Sequence, residues 1–501
     1  MNPLFLTDGY KTGHHQQYPK GTTLVYSNFT PRSNKYAPKG CEQVVSFGQQ
    51  MVMKQIHEAF QNEFFSKPKD EVCGEMKREL SMYLGTDYDV SHFEALHDLR
   101  YLPVNTKALP EGTLVPIKVP VLTIYNTHPD FYWVTNYLET IISNLLWKPM
   151  TSATIAHQYR KVLTSWMEKT DAERDWFIDW QGHDFSMRGM DSVEAVISSG
   201  LGHLTSFMGS DSLPTIYGAR KFYGETEAVC GSVNATEHSV MCAGSKDDEV
   251  GTFRRLLETY PTGILSVVSD TWDLWKVCTE HVVTLKEEIL ARDGKLVIRP
   301  DSGDPVDIIC GAYHTINSGD EQNLDYNYPK YGVDEGSPEY KGVIELLWDV
   351  FGGTINEQGY KVLDSHIGAI YGDSITIERA NEICSRLEAK GFASTNIVLG
   401  VGSFTYQFNT RDTFGFAMKA TYVEVDGEAR EIFKDPITDD GTKKSATGLL
   451  HVTRHNENNY MLVDKVSWEV EANGELQTIY KDGQFQNETT LTEIRKRLQN
   501  K

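Results

Sequence analysis

The chain has 501 residues of which 40% are hydrophobic, enough to bury a large core spread over about two to four domains, or over one embellished barrel. Its 48 Lys and Arg against 70 Asp and Glu give a net charge of -22, which argues against nucleic acid or a membrane surface as a partner unless a local basic patch exists. Seven scattered cysteines with no CxxC pair argue against a disulfide framework or a structural zinc site, and read as reduced thiols.

Residues 1–15 contain no basic segment followed by an apolar run, and no stretch reaches the apolar length of a membrane span, so the expected setting is the cytoplasm. Residues 20–125 mix short strands with turns, as at 22–29 and 114–125. The middle of the chain then alternates β-branched runs, polar or Gly-containing loops and helical patterns. Residues 264–268 lead into Ser269-Asp270 and an amphipathic stretch over 272–290. Residues 295–298 lead into Arg299-Pro300-Asp301-Ser302-Gly303. Residues 367–371 lead into Gly372-Asp373-Ser374 and a helix that stops at Gly391, and residues 396–399 lead into Gly400-Val401-Gly402-Ser403. From 420 to 486 the pattern is strands with hairpin turns at Asn473-Gly474 and Asp482-Gly483, and the closing helix opens on a Thr490-x-x-Glu493 capping box.

The alternation predicts a parallel α/β core, as a barrel or an open sheet, since both give the same order of elements. We expect an N-terminal segment 1–130 contributing mainly to a β-rich domain, a core over 131–415, and a C-terminal β-rich segment with a terminal helix over 416–501. The second, β-rich domain is thus built from both chain ends.

Parallel α/β folds place their active sites just past the carboxyl ends of the strands. The charged groups there are Asp184, Arg188, Asp211, Asp270, Arg299, Asp301 and Asp373. Arginine offers a planar fork for phosphate oxygens, and carboxylates hold Mg²⁺, sugar hydroxyls or an amide NH₂; singly, each is also an ordinary loop ion pair or cap. His238, in Glu237-His238-Ser239, is either a structural hydrogen bonder or a nucleophile or base with Glu237 close by. Tyr10 and Phe185 are either core aromatics or a stacking pair for a flat heterocycle. Gly400-x-Gly402 lets a backbone approach phosphate but lacks the third Gly of a dinucleotide fingerprint and the Lys of a P-loop. Lys419, Lys434, Lys443 and Lys444 are basic spots suited to solvent or to a polyphosphate.

Taken together, Thr7-Asp8-Gly9-Tyr10-Lys11, His183-Asp184-Phe185-x-x-Arg188-Gly189, Gly209-x-Asp211, Glu237-His238-Ser239, Ser269-Asp270, Arg299-Pro300-Asp301-Ser302-Gly303, Gly372-Asp373 and Thr410-Arg411-Asp412 closely resemble the nicotinamide phosphoribosyltransferase family, almost end to end. The resemblance implies an irregular α/β barrel core and a homodimer with shared active sites. It also implies nicotinamide, 5-phosphoribosyl-1-pyrophosphate (PRPP) and ATP as ligands, and Mg²⁺ as cofactor, with the metal's ligands unassigned. By the same resemblance Phe185 stacks on the nicotinamide ring, with Tyr10 of a second copy on the other face, and Asp211 accepts from the carboxamide. Arg299 binds the base-side and phosphate region, Asp301 the ribose hydroxyls, and Arg188 the pyrophosphate. Gly372, Asp373, Gly402, Ser403 and Arg411 surround the sugar or its 5-phosphate, while Arg32, Lys419, Lys434 and Lys443 supply outer phosphate contacts. Asp270 sits beside His238, which matches a histidine transiently phosphorylated by ATP. Ser403-Phe404 replaces two further glycines of the animal members. The rival expectations are a nicotinate phosphoribosyltransferase, whose substrate carboxylate Asp211 would repel, and a catalytically silent binding or signalling protein on the same fold.

Overall fold

Seven short runs pair in parallel across the middle of the chain, in a computed structural model that describes residues 1–316, 326–372, 374–433, 446–456 and 459–499. They are β1 (Gly182–Asp184), β2 (Gly209–Ser210), β3 (Asn234–Ala235), β4 (Thr262–Val268), β5 (Asp293–Arg299), β6 (Ile367–Tyr371) and β7 (Ile397–Val401). Their spatial order is β2-β1-β7-β6-β5-β4-β3, with Leu399 opposite Gly182 and Val297 opposite both Gly368 and Ser266. A parallel bridge joins Gly209 of β2 to Gly231, just before β3; the Ser210 N–H donates to the Gly231 carbonyl at 3.1 Å. The sheet therefore curls round until its edges meet, and the chain visits the strands in cyclic order. This decides for the barrel over the open sheet.

Parallel strands need crossover connections, and the helices that supply them are amphipathic. Ile377–Ala389 is one case: Thr376 caps it by accepting from the Arg379 N–H, and Ala380, Ile383, Cys384 and Leu387 bury one face. Gly391, at φ +74°, ends it in the left-handed conformation glycine tolerates best.

A second sheet is antiparallel throughout, ordered Glu428–Glu431, Ala417–Val425, Thr22–Thr30, Leu122–Asn126, Val104–Ala108, Gln477–Lys481, Gln484–Phe485. It draws on both ends of the chain. Phe29 stacks on Phe416 at 5.2 Å within its core, which also holds Leu122, Ile124 and Tyr480. A buried ion pair, Lys107–Glu471 at 3.0 Å, is joined by the Tyr26 hydroxyl.

Asp482-Gly483 makes the expected hairpin, with φ of +49° and +84° between paired Lys481 and Gln484, as a mirror-image turn requires. Asn473-Gly474 does not. Ser467 accepts from the Val470 N–H and starts the helix Trp468–Ala472, so Asn473 ends a helix instead of joining two strands. The Thr490 capping box forms in both directions, at 2.9 and 3.2 Å.

The chain divides into two compact units. One comprises Met1–Ile155, Tyr217–Glu227 and Asn409–Lys501 and contains the antiparallel sheet; the other comprises Ala156–Ile216 and Ala228–Phe408 and contains the barrel. No helix among the described residues is long and apolar enough to cross a membrane.

Candidate active site

Each barrel strand ends beside a candidate residue. β1 is followed by Phe185 and Arg188, β2 by Asp211, β3 by His238, and β4 by Asp270; β5 ends on Arg299 and leads to Asp301, β6 leads to Gly372, and β7 to Gly402 and Ser403. Asp373, Lys434, Lys443 and Lys444 lie outside the described residues.

Arg299 is the hub. Burial lowers its affinity for a proton, Asp301, Asp211 and Asp270 act in the opposite sense, and Arg188 adds to the lowering. One guanidinium nitrogen donates to the Thr236 carbonyl, while Nε is buried without a partner. The fork is thus anchored by one arm, with donors left for a ligand.

Asp270 is held from the neighbouring loop, its Oδ2 accepting from the Asp301 N–H at 3.0 Å and from the Ser302 hydroxyl. Its Oδ1 is buried without a hydrogen bond and lies 3.9 Å from His238 Nε2; Asp301 Oδ2 is also 3.9 Å from that nitrogen. Nδ1 of His238 lies 3.1 Å from the Thr271 hydroxyl. The carboxylates facing His238 are therefore Asp270 and Asp301. Glu237, the partner suggested by adjacency, instead accepts from the Ser239 hydroxyl, because it sits in extended backbone just before the helix His238–Ala243.

At the other end of the mouth, Asp211 Oδ1 lies 2.9 Å from His183 Nε2 and also accepts from the Ser232 hydroxyl. Burial pushes the Asp211 carboxyl up, but the bonds from His183 and Ser232 outweigh it and hold the group below the usual carboxylate range. Phe185 lies against the His183 ring, with centroids 4.5 Å apart. Two glycines make room here: a Cβ at Gly400 would stand 2.8 Å from Phe185 Cδ2, and one at Gly372 would stand 2.6 Å from Asp301 Oδ1. Ser403 opens the short helix Ser403–Gln407 and packs where Gly189 has no side chain. Phe404 is exposed and stacks on Phe408.

Asp184 is taken up by the local backbone. It is fully buried, accepting from the Ser186 N–H at 2.9 Å, and its job is to shape the turn that presents Phe185. The sequence did not point to His183 and Ser232 as the partners of Asp211; strand alternation, which puts His183 on the side of Phe185, was the available signal.

Tyr10, Arg32, Arg411 and Lys419 belong to the other unit, where they line a cavity of about 340 Å³ together with Asp8 and Glu139. Arg32 Nε donates to the Gly415 carbonyl at 2.9 Å, and burial and then the charge of Arg411 lower its proton affinity. Two like charges held this close suit an anion. The predicted site residues thus form two sets, one in each unit.

A family model described as the nicotinate phosphoribosyltransferase (NAPRTase) family matches residues 180–500, and one described as the nicotinamide phosphoribosyltransferase N-terminal domain matches residues 2–71. A relative from Acinetobacter baylyi, described as a nicotinamide phosphoribosyltransferase, is 49% identical over 99% of this chain and 97% of its own. This chain belongs to the nicotinamide phosphoribosyltransferase family. A second relative so described, from Xanthomonas campestris, is 32% identical over 99% of this phosphoribosyltransferase and 97% of its own length. Two solved structures share the fold at 15% identity. They are a nicotinate-nucleotide pyrophosphorylase from Pyrococcus furiosus, with a TM-score of 0.56 over 100% of this chain and 95% of that one, and human nicotinic acid phosphoribosyltransferase, with 0.55 over 99% and 93%.

Proposed function

We propose that this phosphoribosyltransferase joins nicotinamide to the ribose of PRPP, giving nicotinamide mononucleotide and pyrophosphate for NAD salvage in the cytoplasm. The observation that carries this reading is the Asp211 carboxylate, kept ionised by His183 and Ser232 at the barrel mouth beside Phe185. An ionised carboxylate accepts from a carboxamide NH₂ and repels the carboxylate of nicotinate.

The chemistry follows from position and charge. A pyridine nitrogen is a modest nucleophile, so the rate comes from holding it in line with the ribose C1 while negative charge builds on the departing pyrophosphate. Phe185 and Asp211 orient the ring, Arg188 and Arg299 take up the charge, and Asp301 holds the ribose hydroxyls. Gly372, Gly402 and Ser403 line the sugar phosphate.

Mg²⁺ fits the donor set. No group of three or more His, Cys, Asp or Glu side chains able to hold a metal exists among the described residues, but Asp270 offers a buried oxygen without a hydrogen bond, next to Asp301. This suits an ion that takes one or two carboxylates and completes its shell with water and substrate phosphates. When bound, it would neutralise pyrophosphate charge. ATP coupling runs through His238, whose Nε2 faces the carboxylates and would accept the phosphoryl group.

The cavity lined by Tyr10, Arg32, Arg411 and Lys419 completes the site of a second copy, Tyr10 covering the free face of the base and the three cations meeting phosphate. Its exposed Tyr10 and paired arginines support that reading. A steady-state assay with PRPP and Mg²⁺, with and without ATP, tests the proposal. We expect nicotinamide to be the faster base; faster turnover of nicotinate would overturn the assignment.

A further inference from the structure

We infer that His183 is a positioning residue that sets base specificity by dictating which oxygen of Asp211 meets the substrate. The inference rests on Asp211 as the amide acceptor.

Both donors to Asp211 converge on one atom. His183 Nε2 and the Ser232 hydroxyl engage Oδ1, and no donor among the described residues reaches Oδ2. A carboxylate only accepts, so Nε2 must carry the imidazole proton. Oδ1 is thereby occupied and Oδ2 is the oxygen left for a ligand. Without these bonds the carboxylate rotates about its last torsion, which is broad and two-fold.

The ring has little freedom itself. It is buried in β1, and its other nitrogen faces Gly209, where a Cβ would lie 2.7 Å from Nδ1. Only glycine at 209 admits the imidazole in this pose. The same ring touches Phe185, two residues on and on the same face of the strand, with the planes 31° apart. One imidazole thus braces both the stacking ring and the amide acceptor. Ser232 enters from the segment before β3, on the far side of the bridge that closes the barrel, so closure of the sheet and selection of the base depend on the same few residues.

The test measures kcat and KM for nicotinamide and nicotinate in five variants. His183→Leu removes the donor, and we expect the nicotinamide KM to rise about tenfold, kcat to change much less, and the preference for nicotinamide to fall about tenfold, as loss of one hydrogen bond to a charged group implies. His183→Gln, which returns an N–H near the position of Nε2, restores most of that preference. Ser232→Ala shifts it in the same direction by less. In an Asp211→Ser background, His183→Leu has no further effect on preference. Unchanged preference in both His183→Leu and Ser232→Ala, or full additivity with Asp211→Ser, overturns the inference. Should His183→Leu not fold, failure of Ser232→Ala to shift preference overturns it alone. Unchanged preference in Asp211→Ser itself would instead remove Asp211 as the amide acceptor, a separate failure.

Discussion

Acid should loosen the segment that carries Tyr10, and one histidine gives the size of the effect. His92 stacks on His15 with centroids 3.7 Å apart, stands edge-on to Trp133, and has both ring nitrogens buried without hydrogen bonds. Burial, then the charge of His15, push its pKa from 6.5 to about 3, against a smaller pull from Asp89. The unfolded chain therefore binds a proton that the folded chain refuses, and stability is lost as pH falls from 6.5 toward about 3. At pH 5 the loss relative to neutral pH comes to about 2 kcal/mol. The consequence is local. His15 lies in the helix His14–Gln17, just after the turn Gly9–Gly13 that holds Tyr10, and Tyr88 ties that turn down by donating to the Thr12 carbonyl at 2.6 Å. Urea unfolding midpoints from pH 8 to pH 4.5, for the native chain and for His92→Leu, isolate this contribution from that of the carboxylates. The native chain should lose about 2 kcal/mol more than the variant by pH 5. Parallel curves would refute the argument, because the stack would then have no part in acid sensitivity.

His238→Ala should keep slow PRPP-dependent synthesis while losing ATP hydrolysis; hydrolysis at the native rate would end the phosphohistidine assignment. Gly400→Ala puts a methyl 2.7 Å from the Tyr371 carbonyl oxygen and 2.8 Å from the Gly372 carbonyl oxygen and Phe185 Cδ2, and should raise the nicotinamide KM at a stability cost of about 1–3 kcal/mol; an unchanged KM would show that displacing Phe185 does not bear on the base. Lys107→Met leaves Glu471 buried and charged without its ammonium, for an expected loss of about 3–5 kcal/mol in urea unfolding. A loss under about 1 kcal/mol would mean that the Tyr26 hydroxyl alone satisfies the carboxylate.

Legibility in the sequence tracked strand length. β4 to β7, five to seven residues long, announce themselves by apolar runs rich in Val and Ile, each followed by a polar or glycine loop. β1 to β3 have only two or three residues and no β-branched side chain among them, so no strand pattern marks them in the sequence. Their pairing is imposed by neighbours, chiefly the Gly209–Gly231 bridge and the carbonyls of β7. The charged groups at the mouth were nevertheless visible, since Asp and Arg after a strand are conspicuous wherever the strand begins. Their partners were visible only through the family resemblance, which set Asp270 beside His238; adjacency pointed elsewhere. Glu237 was the obvious companion of His238, yet the ring meets Asp270 and Asp301, both more than 30 residues away and brought close only by strand order. Asp184 shows the reverse case, a carboxylate in a suggestive motif that is spent on a turn.

The cyclic order of the barrel bears on how such an enzyme changes over time. Every strand delivers its contribution from a separate loop, and the loop after β7, with Ser403 and Phe404, lies between the loops of β1 and β6. The Ser403 side chain packs at Gly189, in the loop that follows Phe185. The loops of β1 and β7 are therefore tied through one position: a Cβ at 189 would run into the Ser403 side chain, so a lineage that keeps a side chain at 403 must keep glycine at 189.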